Sequence, residues 1–274
     1  MQQHETPVLQ NKKVGLDVYR MELFAPDVAA QARPGQFLHV SVHTKGRGSD
    51  CYDPLLRRPL SVHGVDVKRG AVALLYRVVG RGTALLARVK EGELLDVLGP
   101  LGRGFSLPPA GSRVVLVAGG MGVAPLYFLA EELLRFGHEV HFLAGARRLE
   151  ELYLLGDLLA LEEKRPSFKP SFATDDGSYG FCGPVTGLLE VLLAAVKVDR
   201  AYACGPRQML REAAGVLARF GVPGEVSLEE RMGCGVGACL SCACRVREAG
   251  GFSYRRVCAD GPVFAAESVD WEDR

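Results

Sequence analysis

Four cysteines close to the C-terminus have the types and spacing most suited to chemistry. Cys234, Cys239, Cys242 and Cys258 stand in CGVGACLSC and RRVCADGPVF, a C-x4-C-x2-C run followed after fifteen residues by one more cysteine. Thiolates from one tight loop can grip one side of an iron–sulfur cluster while a returning segment brings the fourth. Gly233, Gly235 and Gly237 punctuate that loop and permit backbone angles that a side chain would obstruct. A cluster of this kind carries one electron at a time, so the pattern implies electron transfer. Four thiolates also build structural zinc sites, but those usually come as two short cysteine pairs, unlike this unequal layout. Cys244 is a second candidate for the third ligand, and on a strand it would share a face with Cys242. Spacing selects Cys242 and leaves Cys244 as a small buried thiol.

Other stretches suit nucleotides. In VLVAGGMGVAP, Gly119, Gly120 and Gly122 lie between a buried strand and a helix whose first N–H groups suit a pyrophosphate. The pattern is neither G-x-G-x-x-G nor a phosphate loop, and alone it also fits a tight turn that needs no ligand. Cys204, Gly205 and Pro206 end a strand and open a helix, the position where open α/β sheets bind ligands; a plain strand-to-helix turn fits equally. RRPLSV puts Arg57 and Arg58 just before a strand, where guanidinium forks could meet phosphate oxygens or simply be solvated. YRVVGRGT brings Gly80, Gly82 and Thr83 together, and TDDGSYG reads as a polar turn.

The elements that must position these residues fall into three segments. Residues 1–109 show short strands such as FLHVSV, LSVHGV, AVALLYRVV and ELLDVLG, broken by Gly and Pro, which predict a small antiparallel barrel. Residues 110–223 alternate buried strands with amphipathic helices, RVVLVAGG then APLYFLAEELLRFG then HEVHFLAGA, and predict a mostly parallel α/β sheet. Residues 224–274 hold the cysteines and few apolar runs, so a small lobe folded around its cluster is expected. A formal net charge of +1 argues against nucleic acid as partner. No apolar run is long enough to cross a bilayer, and MQQHETPVLQ lacks a basic region leading into an apolar core. A cytoplasmic protein with reduced thiols is expected.

Taken in order, these motifs resemble the ferredoxin–NAD(P)H reductase family, in which a flavin barrel precedes a nicotinamide domain carrying GGxGxAP and CGPxxM. Both occur here, as GGMGVAP and CGPRQM. Within that family RRPLSV, GRGT, GPLGRGF, TDDGSYG, CGVGACLSCAC and CADGPVF resemble the electron-transfer subunits of the NAD-dependent, heteromeric dihydroorotate dehydrogenases. The resemblance covers nearly the whole chain and implies FAD, a 2Fe–2S cluster and NAD. Arg58, Pro59, Leu60 and Ser61 would lie along the flavin, Leu75, Tyr76 and Arg77 would continue the contact, and Gly82 and Thr83 would hold FAD phosphates. Gly119, Gly120 and Gly122 would receive the nicotinamide dinucleotide, with Cys204 and Gly205 bordering the nicotinamide. Cys234, Cys239, Cys242 and Cys258 would ligate the cluster. Many relatives have an aromatic residue where Pro59 stands, a departure this subgroup shares.

The same resemblance implies a partner, an FMN-containing dihydroorotate dehydrogenase catalytic subunit, in a heterotetramer of two of each within pyrimidine biosynthesis. Electrons would leave dihydroorotate there and reach NAD+ here; no segment remains to bind dihydroorotate. A reductase subunit of another complex, of the ferredoxin:NADP oxidoreductase or sulfide reductase type, shares the barrel and nucleotide domain and stays open. By residue type, Arg147 and Arg148 followed by Glu150 and Glu151 lean slightly towards NADP, whereas the resemblance leans towards NAD, which is the coenzyme expected.

Overall fold

The computed structural model describes residues 2–45 and 53–272. Six strands close into an antiparallel barrel in the order β1-β2-β5-β4-β3-β6: β1 (Gln2–Gly15), β2 (Val18–Phe24), β3 (Phe37–Lys45), β4 (Arg58–Asp66), β5 (Ala71–Arg77) and β6 (Leu94–Leu101). Two short helices, α1 (Pro26–Gln31) and α2 (Arg81–Leu86), bridge its strands. Closure depends on β1. Its first residues, 2–7, pair with β6, and after a register shift near Val8 the rest pairs with β2. Such a shift bends a strand and lets it serve two neighbours. β1 and β2 have no continuous apolar run, which is why four of the six barrel strands stand out in the sequence and these two do not.

Seven strands form the second unit in the order β10-β9-β8-β7-β11-β12-β15. They are β7 (Arg113–Gly119), β8 (Glu139–Ala146), β9 (Phe168–Thr174), β10 (Phe181–Cys182), β11 (Arg200–Cys204), β12 (Gly224–Ser227) and β15 (Val263–Ala265). All neighbours are parallel except β12 and β15. The central strand β7 is buried on both faces, and VVLVAG accordingly reads as one apolar run. Helices α3 (Val123–Arg135) and α4 (Leu155–Lys164) cover one face, α5 (Val185–Ala195) and α6 (Arg207–Phe220) the other.

The cysteine segment adds the hairpin β13 (Ala243–Glu248) and β14 (Gly251–Arg256). Two features join it to the second unit. β12 and β15 are strands of the central sheet, so that sheet runs across the 223/224 boundary. Cys242, Cys244, Val246, Val257, Cys258 and Val269 also pack into the same core as α5 and α6. The core is shared because the chain after the hairpin turns back along the sheet edge; short apolar stretches suffice when the other side of the contact is already built. No helix among the described residues is long and apolar enough to cross a membrane.

Candidate functional site

Barrel, sheet and cysteine segment meet around one cleft of about 990 Å³, at the carboxyl ends of β7, β8 and β11. That is the end of an open parallel sheet at which ligands bind. The barrel wall consists of Arg58, Pro59, Leu60 and Ser61 at the start of β4, Leu75, Tyr76 and Arg77 at the end of β5, and Thr83. Facing it are Gly119, Gly120, Gly122 and Gly205 with Pro206 and Met209. The third side is Ser227 to Glu230, Met232 and Pro262. Of the cofactor residues expected from sequence, Gly82 and Cys204 are set behind the wall.

The two arginines of RRPLSV have different tasks. Arg57 ties β4 to β6, donating from Nη2 to Asp96 Oδ2 at 2.7 Å and from Nη1 to the Asp96 carbonyl at 2.7 Å. Arg58 turns to the cleft and lies on Gly82, where an added Cβ would stand 2.4 Å from Nε and 2.6 Å from Cζ. Gly82 is thus a seat for the guanidinium. Thr83 closes the adjoining turn: its Oγ1 accepts from the N–H of Val79 and of Gly80, at 3.0 and 3.3 Å, and donates to the Gly80 carbonyl. Tyr76 turns its ring into the barrel, where its hydroxyl donates to Asn11 Oδ1 at 3.0 Å and burial pushes its pKa up. Arg58 Nη1 donates to the Leu56 and Arg57 carbonyls, at 2.5 and 3.2 Å, and a guanidinium so fixed over a glycine, beside an apolar wall, fits a flavin dinucleotide.

GGMGVAP and CGPRQM pack against one another. A Cβ on Gly122 would stand 2.0 Å from the Cys204 carbonyl oxygen, one on Gly119 2.5 Å from Met209 Sδ, and one on Gly205 3.0 Å from the Gly119 Cα. Backbone meets backbone here, and the cradle that results leaves room for a dinucleotide at the head of α3. Behind it the Cys204 thiol is held far above its ordinary pKa, by burial first and then by the Glu229 carboxylate. Glu229 keeps solvent contact on the cleft side, while the protein packed around it raises its pKa by desolvation. SLEERMG gives no sign that this carboxyl lines a cleft; only the path of the chain after β12 puts it there. At the far end, Arg147 and Glu151 both line the cleft and form a bidentate pair, Nε–Oε2 2.9 Å and Nη2–Oε1 2.8 Å. Asp175, in the TDDGSYG turn, also faces the cleft.

The four motif cysteines come together in two couples. Cys234 and Cys239 share a side-chain hydrogen bond, as do Cys242 and Cys258. Among the described residues no three His, Cys, Asp or Glu side chains are grouped to hold a single ion. Two thiol pairs side by side suit two adjacent irons, each taking two thiolates, as in a 2Fe–2S cluster. Backbone N–H groups point at the sulfurs: Val236, Ala238 and Cys239 at Cys234 Sγ (3.4, 3.3 and 3.4 Å), and Gly237 at Cys258 Sγ (3.1 Å). Burial raises the Cys234 thiol, but these N–H groups outweigh it and bring it down to about 6. The Cys258 thiol is pushed up to about 12, by burial and then by Cys242.

CADGPVF supports the returning cysteine, Cys258. Asp260 forms a bidentate pair with Arg256, which also donates from Nη1 to the Gly237 carbonyl at 3.2 Å and so clamps the cysteine loop to the returning segment. Gly261 lies flat on Phe264, where a Cβ would meet the ring at 2.2 Å. Cys244 faces the shared core, and burial pushes its thiol up to about 11. The seven described cysteines are all free thiols.

The segment 229–270 matches the family profile described as the iron–sulfur cluster binding domain of dihydroorotate dehydrogenase B, and 116–215 matches the oxidoreductase NAD-binding domain. The chain is 46% identical over 268 residues to the dihydroorotate dehydrogenase B (NAD(+)) electron transfer subunit of Desulforamulus reducens, covering 98% of each chain. It is 43% identical over 265 residues to the protein of the same description from Bacillus caldolyticus, covering 96% of each. Among solved structures, that of an NADH-dependent reduced ferredoxin–NADP oxidoreductase superposes with a TM-score of 0.82 at 33% identity, over 97% of this chain and 90% of that one. A ferredoxin NADP+ reductase from Neisseria gonorrhoeae with bound FAD and NADP shares the fold, with a TM-score of 0.65 at 21% identity over 80% of this chain and 92% of that one.

Proposed function

Because the chain belongs to the family of dihydroorotate dehydrogenase B electron transfer subunits, we propose that it carries electrons between a partner catalytic subunit that oxidises dihydroorotate and NAD+. The observation that carries this reading is the single cleft shared by the barrel, the glycine turns and the first residues of the cysteine segment. Met232 lies on its wall and Cys234 is two residues further on. When bound, FAD exchanges hydride equivalents with nicotinamide and the 2Fe–2S cluster passes single electrons, so the pair converts two-electron into one-electron chemistry.

The residues supply binding and orientation. Arg58 meets the FAD pyrophosphate with its guanidinium held on Gly82. Pro59 to Ser61 and Leu75 to Arg77 form the flat wall for the flavin, and Thr83 keeps the turn beside its phosphates closed. Gly119, Gly120, Gly122 and Gly205 leave space for the nicotinamide dinucleotide, with Cys204 supporting them from behind. Cys234, Cys239, Cys242 and Cys258 hold the cluster, and their surrounding N–H groups stabilise the thiolate form. The three functional segments follow residues 1–109, 110–223 and 224–274. The partner carries FMN, the complex is a heterotetramer of two of each subunit, and it works in the cytoplasm in pyrimidine biosynthesis.

Anaerobic co-purification with the partner, flavin identification and iron quantification test the reading. The complex should reduce NAD+ when given dihydroorotate, while this chain alone should oxidise NADH with artificial acceptors only. Dihydroorotate oxidation by this chain unaided would overturn the division of labour. The likeness to the ferredoxin–NADP oxidoreductase structure favours one alternative, a reductase subunit in another complex. Recovery of FAD and cluster with a different partner would select it.

A further inference from the structure

TDDGSYG, a polar turn by sequence, has no task in the account so far. It follows β9 and stands beside the residues that follow β8. The N–H of Asp175 donates to the Ala146 carbonyl at 3.1 Å, and that of Asp176 to the Arg147 carbonyl at 3.2 Å. Ser178 Oγ accepts from the Leu149 N–H at 2.9 Å and donates to Asp176 Oδ1 at 2.6 Å. The turn is thus tied at several points to the segment that carries Arg147 and Glu151, and the Asp176 carboxylate is spent inside it. The Asp175 side chain differs. It lines the cleft and forms no hydrogen bond or ion pair among the described residues, though its charge reaches Arg147.

Sheet order indicates which part of a dinucleotide would come here. β8 and β11 flank β7 on opposite sides. With the nicotinamide beside Gly205, after β11, and the pyrophosphate at the head of α3, the adenosine half is left for the ends of β8 and β9. In NAD the ribose of that half offers two hydroxyl donors; in NADP its 2′ oxygen carries a phosphate, largely dianionic at pH 7. Arg147 has the residue type to read such a phosphate, but its Nε and Nη2 both donate to Glu151. The Glu151 side chain is 13% exposed against 73% for Arg147, so a 2′-phosphate could recruit the guanidinium only by sharing it with a largely covered carboxylate. Arg148 is drawn to Glu150 and Glu151 at 3.9 and 3.5 Å, and Arg77, on the flavin wall, donates to the Tyr153 hydroxyl at 3.4 Å. We propose that the TDDGSYG turn selects the coenzyme: Asp175 accepts from the adenosine ribose hydroxyls of NAD, while Glu151 holds Arg147 so that a 2′-phosphate meets carboxylates where it needs a free cation. The inference rests on the reading of the cleft as a dinucleotide site and deepens it. Selectivity then comes from an attractive and a repulsive element together.

The test uses the full chain purified anaerobically with FAD and cluster. Calorimetry gives the affinities for ADP-ribose and 2′-phospho-ADP-ribose, and steady-state kinetics with ferricyanide gives kcat and KM for NADH and NADPH. Asp175→Ala should bind ADP-ribose roughly 3- to 10-fold more weakly, as expected for lost hydrogen bonds to hydroxyls, and should raise KM for NADH with kcat kept. Combined with Glu151→Gln, it should bind 2′-phospho-ADP-ribose roughly tenfold more tightly than wild type, since two repelling charges are gone and Arg147 is released. Wild-type affinity for ADP-ribose in Asp175→Ala, or wild-type discrimination in the double variant, would overturn the proposal. If Asp175→Ala loses FAD or melts early, Asp175→Asn, which keeps the shape and removes the charge, decides: tighter binding of 2′-phospho-ADP-ribose supports the proposal, and unchanged binding refutes it. A wild-type chain that binds neither ADP-ribose nor NADH would instead refute the dinucleotide reading of the cleft on which the inference rests.

Discussion

Replacing Gly82 by alanine isolates what Arg58 does. The added Cβ would stand 2.4 Å from Nε, 2.6 Å from Cζ and 2.6 Å from Nη2. Contact between such atoms is comfortable only from roughly 3.5 Å, so the guanidinium must withdraw by about 1 Å. It can do so, because the atoms in the way are the end of a flexible side chain. The fold should not suffer: Gly82 lies in α2, and alanine is favoured over glycine in a helix by about 1 kcal/mol. What suffers is the phosphate contact. A hydrogen bond to a charged group contributes about 1.5–3 kcal/mol, so FAD should bind roughly 10- to 100-fold more weakly. Stripping the flavin and titrating it back against flavin fluorescence measures this directly. Arg58→Ala should cost a similar amount, and the double variant should be no worse than Arg58→Ala alone, since both changes remove one interaction. Wild-type affinity in Gly82→Ala, or losses that add in the double variant, would refute the idea that Gly82 acts as the seat of Arg58.

Gly122→Ala puts a Cβ 2.0 Å from the Cys204 carbonyl oxygen and 2.3 Å from its carbon, both rigid backbone. It should destabilise the protein by about 1–3 kcal/mol and raise KM for NADH, read by thermal melting and steady-state kinetics with ferricyanide; unchanged values would show that the two glycine motifs do not depend on close contact. His63, whose ring faces the Ala124 carbonyl at 3.1 Å, titrates near 4, because burial, more than any neighbour, disfavours its charged form. The unfolded chain takes up that proton near 6.5, so the contribution to stability is complete above about pH 6.5 and is lost as the pH falls towards 4, at most about 3 kcal/mol. Urea midpoints at pH 7.5 and pH 5 should differ less in His63→Asn than in wild type, and equal differences would exclude His63 as the source. Glu151→Gln releases Arg147 from its bidentate partner and should move the NADH/NADPH ratio of kcat/KM towards NADPH by several-fold; an unmoved ratio would place coenzyme choice elsewhere.

How much of this was legible in the sequence depends on what each residue's chemistry demands. A cluster needs thiolates at fixed spacing, so C-x4-C-x2-C suggests a cluster loop from spacing, whereas GGMGVAP and CGPRQM each fit a plain turn and take their meaning only from the resemblance that their order along the chain carries. Arg57 and Arg58 look alike in RRPLSV, and only the way the chain enters β4 beside β3 sends one across to Asp96 and the other to the cleft. Glu229 and His39 had no local signal. Each acquires its setting from the folded chain, the course after β12 bringing the carboxylate to the cleft wall and the cysteine loop covering the imidazole. The return of β15 to the sheet was equally hidden, because three residues pairing with β12 make no pattern of their own.

That return also bears on how the electron path is kept rigid. Cys258 stands five positions before the start of β15, and Leu228 just after β12 donates its N–H to the Pro262 carbonyl at 2.9 Å, so the fourth motif cysteine is fixed to the sheet through a few bonds. The loop bearing the other three is held from two sides, by Arg256 at the Gly237 carbonyl and by His39 beneath Gly235. The sheet that carries the glycine cradle therefore also carries one arm of the thiol site, and the barrel that carries Arg58 supports the other. A cluster held between two such supports cannot drift from the cleft without breaking contacts in both units. Loss of a contact on either side should accordingly show first in the cluster's potential and electron-transfer rate, before global stability changes.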